Sequence, residues 1–190
     1  MTLSATKTGR RRLIASLALA GSGLLGLHSA DAAAVAKDGP ELAVLKAEEG
    51  TWDAAITFPS RDPAKPDAHA KGVQINTLRS DGKWMLNQFS VEGTPYSGTG
   101  VWGYDPTTGG YHGIWADNNA FTIRHDTGTW DAATHTMTWV GDQVQADGTH
   151  FKIDLVETFS GTTRTFKASG VSPKTGQVIV FQTIIFSKRP

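Results

Sequence analysis

Glu157 stands on a strand-like face otherwise made of Phe151, Ile153, Leu155 and Phe159. A carboxylate in such company must be paired, hydrogen-bonded or protonated. Arg164, one strand later across the turn that begins at Gly161, is the cation within reach. The two read either as an internal ion pair or as a functional pair, which would fix the polar head of a ligand or supply an acid/base group. His125 shares an apolar face with Phe121 and Ile123. A neutral imidazole turned into a barrel would suit a general base or an axial haem ligand, since it titrates near neutrality. The plainer reading is a satisfied core or rim histidine. Asp117 follows Tyr111 and Trp115 on one strand face, and with Tyr104 on the neighbouring strand these side chains offer polar contacts at a rim.

Other chemistries are poorly served. His135 sits beside a turn, while His69, His112 and His150 fall in loops or on polar faces, and no pair has zinc-site spacing, so no metal site is expected. The chain has no cysteine, which removes disulfides, thiolate metal sites and cysteine nucleophiles. It has no nucleophile elbow, P-loop or dinucleotide fingerprint. The glycines from Gly98 to Gly103 precede no helix and so do not read as a phosphate cradle.

The elements that must position these groups are mostly strands. Pro40 to Glu49 reads as a short helix, with Asp38 as an N-cap candidate, Leu42 and Leu45 on one face, and Gly50 as its stop. So short a helix must pack on something, and the open end of a barrel would serve. Trp52, Ala54, Ile56 and Phe58 then alternate with Thr51, Asp53, Ala55 and Thr57, the period of a half-buried strand. Pro59 to Ala70 is a long irregular loop of the kind that often borders a site. Beyond it, turn signals at Asp81-Gly82, Gly93 to Pro95, Asp105 to Gly110, Asn118-Asn119, Asp131 to Ala133, Ala146 to Gly148, Gly161 and Pro173 to Gly176 separate short alternating segments. Gly98 and Gly100 are expected to let their strand bend as barrel closure requires. The last segment, Val178 to Phe186, is apolar on both faces and should be covered on both, with the helix as a candidate cover. This spacing predicts an all-β domain over 40–190, a barrel or sandwich of about ten short strands, and a short N-terminal helix, then Gly-x-Trp, then strands alone points to an antiparallel lipocalin-like barrel. The hexapeptide Gly-Thr-Trp-Asp-Ala-Ala occurs at Gly50 and again at Gly128, where the flanks differ and it should end a strand instead of starting one.

Residues 1–32 read as an export signal, and 33–39 as a linker. Arg10 to Arg12 form the charged region, Leu13 to Leu27 an apolar stretch short for a bilayer, and Ala30-Asp31-Ala32 a small-x-small cleavage site. Arg10-Arg11 also fits a twin-arginine signal, so both export routes stay open. The full chain balances 18 basic against 18 acidic residues, but removing the leader leaves 14 against 17. That mild acidity argues against a nucleic-acid surface and a polybasic membrane patch. The expected location is the periplasm or the exterior, without stable membrane insertion after cleavage. Nothing in the sequence fixes an oligomeric state.

Gly50-Thr51-Trp52, Gly82-Lys83-Trp84, the block from Gly98 to Pro106 that ends in Gly-Tyr-Asp-Pro, Tyr111-x-Gly113-x-Trp115-x-Asp117, and Glu157 together resemble the bacterial family known as domain of unknown function 1579. The likeness covers most of the mature chain. It implies a calycin-type barrel and brings no established activity or catalytic residues with it. In such folds the Gly-x-Trp tryptophan plugs the closed end, stacked against a basic residue near the last strand, for which Lys188 and Arg189 are candidates. The leading expectation is a barrel that binds a small apolar or amphipathic ligand, with His125, Glu157, Arg164, Tyr104, Trp115 and Asp117 as its polar and aromatic anchors. An acid/base enzyme using His125 or Glu157, and a haem-binding barrel using His125, are the alternatives; otherwise no cofactor is expected.

Overall fold

The computed structural model describes residues 39–79 and 82–190. The leader, its cleavage site, residues 33–38 of the linker, and Ser80-Asp81 lie outside the described residues.

One helix, α1 (Pro40–Glu48), precedes ten strands: β1 (Gly50–Phe58), β2 (Ala68–Arg79), β3 (Trp84–Val91), β4 (Ser97–Asp105), β5 (Gly110–Asp117), β6 (Arg124–Asp131), β7 (Thr136–Val144), β8 (His150–Ser160), β9 (Thr163–Val171) and β10 (Val178–Lys188). Each strand pairs antiparallel with its chain neighbours, and β10 returns to pair with β1, so the sheet closes into a barrel with no free edge. Strand direction then sorts the connections. The turns after β2, β4, β6 and β8 lie at one end with the start of β1, and the turns after β1, β3, β5, β7 and β9 lie at the other.

α1 closes the first end. Leu42, Val44 and Leu45 are buried and pack into a cluster with Met85, Trp102, Tyr111, Met137, Trp139, Leu155 and Ala168. Its N-cap is Gly39, with no side-chain cap bond, and Pro40 takes the first turn, where a missing N–H costs nothing. At its C-terminus the chain leaves through Gly50 at φ +124°, a backbone conformation suited to glycine. The Glu48 carbonyl, otherwise an orphan acceptor of the last turn, receives Trp52 Nε1–H at 2.8 Å and Asn76 Nδ2–H at 3.1 Å. Tyr111 Oη–H donates to the Glu41 carbonyl at 2.7 Å. These bonds weld the helix into the barrel mouth.

Two expectations need correction. β10 is not covered on both faces, because α1 sits in the barrel end and Ile185 remains 53% exposed on the outer wall. β6 begins only at Arg124, so Phe121 and Ile123 belong to the preceding connection, where both are exposed. Gly98 and Gly100 make room for a ring: a Cβ on Gly98 would lie 2.1 Å from Trp115 Cζ2, and one on Gly100 would lie 3.0 Å from Trp115 Cε3. The register repeats the device elsewhere, with Trp102 opposite Gly113 and Trp139 opposite Gly128. The second Gly-Thr-Trp-Asp-Ala-Ala copy ends β6 and enters a turn, as its flanks foretold.

Candidate functional site

Above the helix the barrel is hollow. A cavity of about 620 Å³ runs towards the end opposite α1. Its walls are largely apolar, with Ile56, Phe89, Trp102, Leu155, Ile184 and Phe186 among them. Thr94, Pro95 and Asn119 line it from the turns after β3 and β5, which places its mouth at that end. The 59–67 connection contributes none of its residues to the lining.

A polar cluster forms the inner end. Arg164 points inward from β9 and is 1% exposed. Its guanidinium meets Glu48 Oε1 at 2.5 Å and Glu157 Oε1 at 2.9 Å, and also donates to Gln74 Oε1. Aromatic rings cover it: the Phe186 centroid is 4.3 Å away, that of Trp52 4.8 Å and that of Phe159 5.7 Å. A desolvated cation over such faces gains on the order of 2 kcal/mol. Lys188 also approaches Trp52, with Nζ 5.4 Å from the ring centroid. The expected Trp52 stack on a basic residue is therefore present, with Lys188 and, more closely, Arg164. Arg189 instead pairs with Asp53 at 2.6 Å on the outer surface.

Two carboxyls face one guanidinium here. Burial pushes the Glu48 carboxyl up to about 8; Arg164 opposes that rise and the neighbouring Glu157 adds to it. Burial raises Glu157 as well, against the pull of Arg164. The cluster thus holds a proton near neutrality. Asn76 Nδ2 donates to Glu48 Oε1 at 3.2 Å, and Asn87 stands directly opposite Asn76 on β3. Glu48 Oε2, Asn76 Oδ1 and Asn87 Oδ1 are buried without a partner, as is the Arg164 Nε donor.

A second polar set lies nearer the mouth. Arg124 holds both oxygens of Asp126, at 2.7 and 2.9 Å, with its guanidinium 6.0 Å from the Trp115 ring. Trp115 Nε1–H donates to Asp117 Oδ2 at 2.9 Å, and Tyr96 Oη–H reaches the same oxygen at 3.4 Å. Burial and the adjacent Asp117 push the Tyr96 hydroxyl up to about 12, which keeps it a donor.

The expected anchors are divided by this geometry. Glu157, Trp115 and Asp117 line the cavity, and Arg164 lies just behind its inner end. Tyr104 does not line it; its ring packs 5.3 Å from Tyr111, among the residues around α1. His125 is on the outer face, because Arg124 and Asp126 occupy the inward positions on either side. The acid/base pairing of His125 with Glu157 is therefore not assembled, since the two side chains lie on opposite faces of the wall. Among the described residues the lining includes no histidine, so it does not fit the axial ligation of haem expected of His125. Among the described residues no group of three or more His, Cys, Asp or Glu is placed to hold a metal ion. The site residues that sequence reasoning missed are Glu48, Gln74, Asn87, Arg124 and Asp126.

The model of the family described as "Protein of unknown function (DUF1579)" matches residues 37–188. The chain belongs to this family. No curated protein matches it. Among solved structures, this DUF1579 chain is similar to Rv2717c from M. tuberculosis, at 12% identity and a TM-score of 0.59, over 80% of this chain and 99% of that one. At that identity the likeness shows the fold alone, and it agrees with a calycin-like barrel. It is also similar to the S-type phycobiliprotein lyase CPES from Guillardia theta, at 9% identity and a TM-score of 0.49, over 77% of this chain and 90% of that one.

Proposed function

We propose that this chain is an exported binding protein that takes a small, largely apolar or amphipathic molecule into its barrel. The observation that carries this reading is the cavity of about 620 Å³, walled by aromatic and aliphatic side chains and ending on buried polar atoms without partners. An apolar pocket of a few hundred cubic ångströms with a few convergent polar groups is the common form of a small-molecule site. A barrel built only as a structural module would gain stability by filling that space. The arginine and the apolar stretch before Ala32 support export, with cleavage near Ala32 by the general or the twin-arginine route.

The test has two parts. Native mass spectrometry of the chain purified from its own host should show an adduct that denaturation releases. The neutral fluorophore N-phenyl-1-naphthylamine should bind the emptied protein and be displaced by the extracted molecule. A bare chain that also fails to bind the fluorophore would overturn the reading. Edman sequencing of the exported form should begin at Ala33, and recovery of an intact N-terminus in the cytosolic fraction alone would overturn the export assignment.

A further inference from the structure

The polar groups of the cavity are lopsided, and this defines the head group of the ligand. The inference rests on the binding reading above. Carboxyls of Glu48, Glu157, Asp117 and Asp126 line the cavity, whereas Arg124 is the one cation among the described lining residues. Both guanidiniums of the site are already engaged, Arg124 by the two oxygens of Asp126 and Arg164 by Glu48, Glu157 and Gln74. An anionic head group would meet more carboxyls than cations in the lining, and the guanidinium at the inner end is already shared by two of them. Repulsion and desolvation both oppose it.

The inner end sets two carboxyls, Glu48 and Glu157, against the single guanidinium of Arg164. Glu48 is 2% exposed and Asn87 8% exposed, both line the cavity, and Glu48 Oε2 and Asn87 Oδ1 have no partner. Asn76 Oδ1, a third orphan acceptor, belongs to the residue that links them, bonded to Glu48 and directly opposite Asn87. Arg164 Nε, a buried donor without a partner, belongs to the guanidinium that already meets both carboxyls, and an ionised carboxyl offers only acceptors. Glu48 Oε2 and Asn87 Oδ1, on residues that line the cavity, can each accept an N–H of an ammonium, whose charge would balance the second carboxylate on Arg164.

We propose that the cavity binds an amphipathic amine, with its ammonium seated at Glu48 and Asn87 and its apolar body lying along Phe89, Trp102, Ile184 and Phe186 towards the mouth. Seating the ammonium requires the Glu48 carboxylate, so the proton held there leaves to solvent as the N–H donors replace it. The balance is one proton lost from the carboxyl and one salt bridge formed. The proton is present before binding because burial outweighs Arg164 at Glu48, while Glu157, on the same guanidinium, adds to the effect.

The test uses decylamine, decanol and decanoate, which share a chain and differ in head group. Trp102, Trp115 and Trp139 line the cavity and report binding by fluorescence. Decylamine should bind at least about tenfold more tightly than decanol, with decanoate weakest, and calorimetry in buffers of different ionisation enthalpy should show proton release with decylamine alone. Glu48→Gln should lose about tenfold in decylamine affinity, release no proton, and bind decanol within about twofold of the parent. Decanol or decanoate binding as tightly as decylamine would overturn the amine assignment and leave the cavity-binding reading intact. Binding of none of the three would overturn both. If Glu48→Gln fails to fold, the head-group series on the natural chain still decides.

Discussion

Glu48 gives the apoprotein a pH dependence opposite to that of an ordinary surface carboxylate. In the unfolded chain its carboxyl titrates at the ordinary value of 4.5, and in the barrel burial holds it at about 8. Below the lower value both states carry the proton, and its contribution to stability is fully present. Between the two, the unfolded chain ionises freely while the folded chain does not, so stability falls as pH rises. Above about 8 the loss is complete. That difference corresponds to about 5 kcal/mol, or about 10–20 °C in Tm for a domain of this size. Glu157 is raised too and adds in the same direction. Asp53, Asp105, Asp131, Asp142 and Asp147 are held low by hydrogen bonds and neighbouring cations, so their contributions fade only in acid, below the window in question. Differential scanning calorimetry from about pH 5 to 9 at constant ionic strength should therefore show a falling Tm. Glu48→Gln has no proton to lose at this position and leaves Arg164 facing one carboxylate. Its curve should be much flatter and should cross the parent's, ending higher at the alkaline side. A parent Tm that is level or rises over this range would refute the reasoning, as would a Glu48→Gln protein that keeps the full slope.

Arg164→Met leaves Glu48 and Glu157 buried without their cation and should cost about 3–5 kcal/mol by urea denaturation. Arg164→Lys should recover little of this, because one ammonium cannot reproduce a planar fork that meets two carboxyls and Gln74 between aromatic rings. Gly98→Ala puts a methyl where the Trp115 ring lies, at 2.1 Å from Cζ2. It should cost about 1–3 kcal/mol, and it should shift the tryptophan emission as the ring leaves Asp117. His125→Ala, on the outer wall, should change stability by no more than about 0.5 kcal/mol and leave fluorophore affinity unaltered; a large loss of binding would return His125 to the site.

The barrel was legible because strand period and turn chemistry are local, and a closed meander needs nothing else. Glu157 and Arg164 were legible for a related reason: a carboxyl in an apolar row calls for a cation, and the next strand carried one. Glu48 was harder, since Lys46 and Glu49 beside it suggest a solvated helix end. The signal was there in the spacing, because Leu42, Leu45 and Glu48 fall three apart and share the buried stripe. His125 was misread because alternation gives the period of a strand and not which side is inside. Around β6 the apolar residues Phe121 and Ile123 face solvent, while Arg124 and Asp126 face a cavity with a polar mouth. Hydrophobicity fails as a guide to the interior wherever the interior is hollow and wet at one end. Close packing is the better guide there. Gly128 has the same parity as Arg124 and Asp126, and a Cβ on it would lie 2.4 Å from the Trp139 ring, so glycine opposite a buried indole marks the inward row. The same parity argument turns Gly98 and Gly100 inward beneath Trp115, and it makes Arg124, Asp126 and Asp117 the polar groups a ligand passes on its way to Glu48.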